Sequence, residues 1–286
     1  MVAPVTDRGF GPARHAELAL LLEVAGTPKP GNVDRRRDLS DLHFEQFLTG
    51  AVGSAAGLEL AESGAPVGEA FEEAVAGMSR QGGGNTQFGC LLLLVPLVRA
   101  AAAEDRDLTP AGATAVVEST TVADAVGFYR AFEHVEVAVG DAPDDAPDLD
   151  VRRGGDAADA LRDRGVTLSD VMDLSAERDA NAREWTGGFA RTFRAAEAIL
   201  ADDGPVTDRV ARAFLDLLAE EPDTLVATNH GEAVARDVMA RAADVSDLDE
   251  AEELAEAFVA EGINPGTTAD IACAATFVAL ERGVPL

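Results

Sequence analysis

Positive charge is scarce in this chain: 23 lysines and arginines face 52 aspartates and glutamates, a formal net charge of −29 in 286 residues. A polyanion would find no broad basic face here, so nucleic acid is not expected as a partner. Lysine is nearly absent, with Lys29 alone among the arginines. An acidic, lysine-poor surface suits a high-salt cytoplasm, where ions screen the self-repulsion of the carboxylates. Long apolar runs are missing too. The longest, Cys90 to Val98, falls far below the ~20 residues that span a bilayer. The N-terminal Met-Val-Ala-Pro-Val-Thr-Asp-Arg lacks the apolar centre of a signal peptide. The expectation is a cytoplasmic protein with no membrane partner. Two cysteines, Cys90 and Cys273, are too few for a disulfide framework, and their apolar surroundings read as reduced core positions rather than nucleophiles. No His/Cys cluster has the spacing of a zinc site. Strand-like alternation is confined to stretches such as Val135–Val139, too few to build a sheet of consequence.

Apolar residues make up 47% of the chain, enough for a full core. They recur at steps of three and four, as in Leu18, Leu21, Leu22, Ala25 and in Phe44, Phe47, Leu48, Ala51, Ala55, Leu58. The predicted fold class is therefore all-α, a single large helical bundle over residues 1–286. Its helices include segments at 13–25, 41–63, 86–103, 176–201, 222–242 and 267–282, with Gly and Pro between them. One composition break, Gly140 to Asp150, carries aspartates and prolines and reads as a solvated acidic loop that could divide the bundle into two halves.

Four segments could carry chemistry. In Thr27-Pro28-Lys29-Pro30-Gly31-Asn32-Val33-Asp34-Arg35, two prolines and a glycine fix a turn from which an ammonium, guanidiniums and carboxylates could project. With Asp41 following, this reads as a triphosphate and Mg²⁺ site, since Mg²⁺ is commonly held by one or two carboxylates together with substrate phosphates. The bland alternative makes the same residues helix caps and exposed ion pairs. In Gly82-Gly83-Gly84-Asn85-Thr86-Gln87-Phe88-Gly89, glycines at the mouth of an apolar helix could offer bare N–H groups to an anion. The Gly-Lys-Ser/Thr ending of a Walker A loop is missing, and a capped helix start explains the same residues. The other two are Asp223-Thr224 through Asn229-His230-Gly231 and Asn264-Pro265-Gly266-Thr267-Thr268-Ala269-Asp270. Taken singly, each could be no more than helix capping and a structural histidine.

In this order the four segments resemble the triphosphoribosyl-dephospho-CoA synthase family, and the acidity is that of a haloarchaeal-like member. The resemblance covers roughly residues 15 to 282 and is most specific at the first and last segments. It implies an all-α enzyme in which a ribose hydroxyl of dephospho-CoA attacks the anomeric carbon of ATP. Adenine leaves, and the product is the prosthetic-group precursor of citrate lyase or malonate decarboxylase carrier proteins. Carried onto this sequence, Lys29, Gly31, Asp34 and Arg35 fall on the first motif, and Asp41 on an acid near the next helix. Gly84, Asn85, Thr86 and Gly89 fall on the second, Asp223 and Thr224 on part of the third, and Gly266, Ala269 and Asp270 on the last. Thr267 and Thr268 replace a glycine and a serine, Asn229-His230 stands where an arginine is expected, and His43 where the family often has a second acid.

The implied roles are these. Lys29, Gly31, Arg35, Gly84, Asn85, Thr86, Thr224, His230, Gly266 and Thr268 bind substrate, and Asp34, Asp41, Asp223 and Asp270 hold Mg²⁺. Asp34 or Asp270 serves as general base, with Lys29 also catalytic. Partners are then the small molecules ATP and dephospho-CoA, with monomer and homodimer both open. Two alternatives stand beside this: the same donor with another acceptor such as a pterin-type carrier, motivated by Asn229-His230, and a noncatalytic nucleotide-binding protein. Lys29→Arg is expected to impair triphosphate use while altering folding by no more than about ±0.5 kcal/mol.

Overall fold

Two stretches of the chain are apolar all round, and a helix without a polar face has to be enclosed by others. They are Phe88–Ala102 and Gly266–Glu281, and in this computed structural model they run through the centre of a bundle. The structure describes residues 10–103, 108–140 and 146–286; the N-terminal residues and the middle of the acidic loop, 141–145, lie outside it.

In chain order the helices are α1 (Pro12–Ala25), α2 (Phe44–Gly53), α3 (Ala55–Glu62), α4 (Val67–Met78), α5 (Phe88–Ala102), α6 (Pro110–Glu118), α7 (Val122–Ala131) and α8 (Ala158–Arg164). There follow α9 (Leu168–Ser175), α10 (Ala180–Thr186), α11 (Ala190–Ala201), α12 (Val206–Glu220), α13 (Thr224–His230), α14 (Glu232–Ala243), α15 (Leu248–Glu261) and α16 (Gly266–Glu281). The all-α fold class expected from periodicity is the one found. Among the described residues there is no strand, only an isolated bridge between Asp34 and Arg37, and Val135–Val139 runs as irregular chain.

Helix starts follow local chemistry. Thr121 with Asp124, and Thr167 with Asp170, form reciprocal capping boxes, while Asp223 and Asp247 each accept from two backbone N–H groups of the helix they open. Such caps contribute ~1 kcal/mol each. Three long predicted helices are broken. The 41–63 segment divides at Ser54, whose hydroxyl donates to the Ala51 carbonyl at 2.8 Å. The 176–201 segment divides where Phe189 takes φ 58, and the 222–242 segment divides at Gly231 with φ 90. Periodicity alone does not register such breaks, because the apolar spacing resumes on the far side.

α16 packs against α1, α5, α11 and α12, and α4 against α3 and α7. One hydrophobic cluster runs from Ala13 to Val284; its Phe71, Phe88 and Phe128, with Phe132 packed against them, make edge-on, tilted and stacked contacts at centroid separations of 4.8 to 6.3 Å. The consequence for function is positional. Both central helices begin at the same level, so the Asn85–Gly89 and Gly266–Asp270 segments face one another across the bundle.

Candidate active site

The first motif folds inward rather than out. Lys29 is 0% exposed; its ammonium pairs with the Glu23 carboxylate of α1 and donates to Asn32 Oδ1 at 2.9 Å. Asn32 Nδ2 in turn donates to Asn264 Oδ1 at 3.0 Å. Gly31, at φ +76, lies so close to the last motif that a Cβ there would sit 2.5 Å from the Ile263 carbonyl oxygen. Only glycine fits that contact, which clasps the first and last segments together. Asp34 is fully buried, and its two oxygens accept from the Arg36 and Arg37 N–H groups, from Arg37 Nη1 at 2.9 Å and, at 3.2 Å, from the Lys29 N–H. Arg36 and Arg37 are spoken for by Glu252 and Glu256 of α15. Arg35 is exposed and makes only long contacts to Thr27.

Next to this clasp opens a cavity of about 900 Å³. Its polar lining includes Glu23, Asn32, Asn85, Thr86, Asn181 and Asp270, its apolar lining residues such as Leu92, Phe128, Phe132 and Met172. Gly84, Thr224, Gly266, Thr267 and Asn229 also reach it, with Asp41 exposed at its rim. The four motif segments therefore do meet. Cys90 Sγ lies 3.2 Å from Asp270 Oδ1, Asn181 Nδ2 of α10 donates to Asp270 Oδ2 at 2.8 Å, and Thr224 Oγ1 donates to Thr267 Oγ1 at 3.2 Å.

Asp270 is the carboxyl that the site brings near neutrality. Burial raises its carboxyl from 3.8 to about 7, against the hydrogen bonds from Asn181 and Cys90 that favour the ionised form; the negative charges of Glu23 and Asp223 add to the rise. A carboxyl titrating near neutrality is suited to general base work. Its neighbour Cys90 stays a thiol, because the hydrogen bond with Cys273 and then burial push it well above its ordinary value, so it serves as a donor and not a nucleophile. Room for the group comes from Gly89, where a Cβ would lie 1.9 Å from Asp270 Oδ2 and 2.6 Å from Asn181 Nδ2. Gly89→Ala should therefore displace the Asp270–Asn181 pair. The expected result is adenine release reduced about 10²-fold or more, as for a catalytic group moved by an ångström. Its folding cost should be about 1–3 kcal/mol. Initial rates and urea melts on one preparation test both, and a fully active variant would show that this spacing is unimportant.

The other candidate residues sit as follows. No three of Asp34, Asp41, Asp223 and Asp270 cluster, and no three His, Cys, Asp or Glu side chains among the described residues stand as a metal cage. Asp34 is spent as described, and Asp223 is 3% exposed, with one oxygen capping α13 and the other accepting from the Thr268 N–H and hydroxyl, both at 2.7 Å. Thr268 is consequently a structural partner of Asp223. Lys29, Gly31 and Arg35 do not line the cavity, and His230 is exposed outside it. Lys29 and Gly31 lie behind the wall, in contact with Glu23, Asn32 and Ile263. Glu23 and Asn181, outside every motif segment, line the cavity as well. Glu23 had a signal, a lone acid in the apolar run Leu18–Val24 just ahead of the only lysine. Asn181 had none.

A family model for CitG, ATP:dephospho-CoA triphosphoribosyl transferase, matches residues 10–284. Among solved structures, a provisionally named triphosphoribosyl-dephospho-CoA synthase from Archaeoglobus fulgidus is similar, with 27% sequence identity and a TM-score of 0.68 over 83% of this chain and 100% of that one. No curated protein matches. With the motif segments brought to one cavity and the family model spanning nearly the whole chain, the protein belongs to the ATP:dephospho-CoA triphosphoribosyl transferase family.

Proposed function

We infer that this chain transfers the triphosphoribosyl group of ATP to a ribose hydroxyl of dephospho-CoA and releases adenine. The observation that carries the inference, beyond family membership, is a near-neutral carboxyl, Asp270, held by Asn181 and Cys90 at the wall of a cavity of about 900 Å³. In the reaction the acceptor oxygen bonds to the anomeric carbon while the bond from that carbon to the adenine nitrogen breaks. The electron pair leaves with adenine, which takes a proton from water, while the hydroxyl proton passes to Asp270 and from there back to solvent. The sugar is cation-like at the crossing point, so the adjacent carboxylates of Asp270 and Glu23 favour it.

The triphosphate is assigned to the Gly84–Thr86 loop, whose Thr86 hydroxyl is buried and without a protein partner, and to Arg183, which now pairs with Glu221. Mg²⁺ is assigned as a companion of the triphosphate, since the carboxylates present do not fit a resident ion. The net charge of −29 supports a high-salt, haloarchaeal-like cytoplasmic setting. We read the chain as one domain, since the cluster from Ala13 to Val284 is continuous across the acidic loop.

The test is adenine release from ATP in molar salt with Mg²⁺, with and without dephospho-CoA, followed by chromatography. Release that depends on dephospho-CoA is expected. Release only with another acceptor would favour a pterin-type or other carrier, and ATP binding without release under any acceptor would make the protein noncatalytic.

A further inference from the structure

Asn181 is 6% exposed and faces the cavity from α10, outside every motif segment. Its amide is used by halves. Nδ2 donates to Asp270 Oδ2 at 2.8 Å, which fixes the orientation of the group, and Oδ1 is buried with no hydrogen-bond partner. A buried carbonyl oxygen without a donor is costly, and such an atom in a native structure calls for a donor from an ordered water or from a ligand group that displaces it. The oxygen can only accept. A phosphate, which offers acceptors alone, does not satisfy it; a hydroxyl does. Since the two atoms of one amide are neighbours, that hydroxyl must lie beside whatever group Asp270 itself engages.

We propose that Asn181 Oδ1 accepts a hydrogen bond from the 3′ hydroxyl of the acceptor ribose while Asp270 takes the proton of the adjacent, attacking 2′ hydroxyl. The pair reads a free vicinal diol. This rests on the transferase function inferred above and adds a specificity determinant to it. In CoA the 3′ position carries a phosphate, which would bring negative charge and more acceptors against Asn181 Oδ1 and the Asp270 carboxylate. Selection for the dephosphorylated acceptor then follows from an amide oxygen and a carboxylate, neither of which offers a donor to a phosphate. Binding sites built to hydrogen-bond a hydroxyl discriminate strongly against analogues that lack it, because their own polar groups are left unpaired.

The experiment compares dephospho-CoA with its 3′-deoxy analogue on wild-type protein and on Asn181→Ala. Wild type should use the 3′-deoxy acceptor with kcat/KM lower by about 10- to 10²-fold, the loss expected when one buried hydrogen-bond partner is removed. Asn181→Ala should lower kcat/KM for dephospho-CoA by a similar factor and that for the 3′-deoxy acceptor by less than about 2-fold beyond any common loss. Equal use of both acceptors by wild type, or an equal loss on both in the variant, overturns the proposal and leaves Asn181 as a positioning residue for Asp270. The wild-type comparison decides even where the variant folds poorly. Failure of wild type to release adenine with dephospho-CoA at all overturns the transferase function, and this inference with it.

Discussion

Asp270→Asn should bind ATP but release adenine about 10²–10⁴-fold more slowly than wild type, the usual contribution of a positioned general base. The wild-type rate should carry the signature of the same group. Since Asp270 titrates at about 7 and must be ionised to accept a proton, kcat/KM should rise as pH passes through about 7 and level off above it. In Asp270→Asn that limb should vanish. Stability should move the other way. An acid raised from 3.8 to about 7 in the folded state keeps its proton where the unfolded chain has lost it. Its contribution to stability is therefore full below about 3.8 and is lost as pH climbs to about 7. The full displacement corresponds to on the order of 4 kcal/mol as an upper bound. Asp270→Asn, free of this penalty, should melt above wild type at pH 8, with the gap closing toward pH 4. A variant retaining wild-type activity and its pH limb would remove Asp270 from the chemistry.

The second large effect concerns Lys29. Lys29→Met leaves the Glu23 carboxylate buried without its counter-charge, and breaking a buried pair in this way costs about 3–5 kcal/mol. Burial already pushes the Glu23 carboxyl up, with Lys29 pulling it back down. Without that ammonium the acid binds its proton to higher pH, so the deficit should be small in acid and deepen toward neutrality. Glu23→Gln with Lys29→Met should recover most of it, a coupling that a double-mutant cycle in denaturant measures. Equal losses from the single and double variants would deny the pairing. Lys29→Arg belongs with these. A guanidinium does not fit a site with 0% exposure without displacing neighbours, so the folding cost should be about 1–3 kcal/mol. That replaces the expectation of a near-neutral change in stability.

Lysine is chosen there for shape as well as charge. The single ammonium reaches Glu23 and Asn32 at once and lies 6.0 Å from the centroid of the Phe214 ring. A planar fork would need a different cage. The turn that carries this lysine packs against the last motif, where Gly31 meets Ile263, and the ammonium is enclosed there with Glu23 and Asn32.

The helical class was legible because a step of three to four apolar residues is a local property of the chain. So were the apolar starts of α5 and α16, and through them the Asn85–Thr86 and Gly266–Asp270 walls of the cavity. Asp270 could be named as a candidate base from its segment. What sets it apart, desolvation among distant helices with Asn181 and Cys90 as partners, comes from residues 89 and 180 positions away in sequence. The same holds for Asp34 and Asp223. As letters they equal Asp270, and only packing consumed their oxygens on backbone N–H groups and on Arg37 or Thr268. Sequence by itself determined which elements form and which acids stand near the site. Tertiary structure decided which acid keeps an edge on the cavity, because burial and hydrogen-bond supply are sums over neighbours that no local pattern contains.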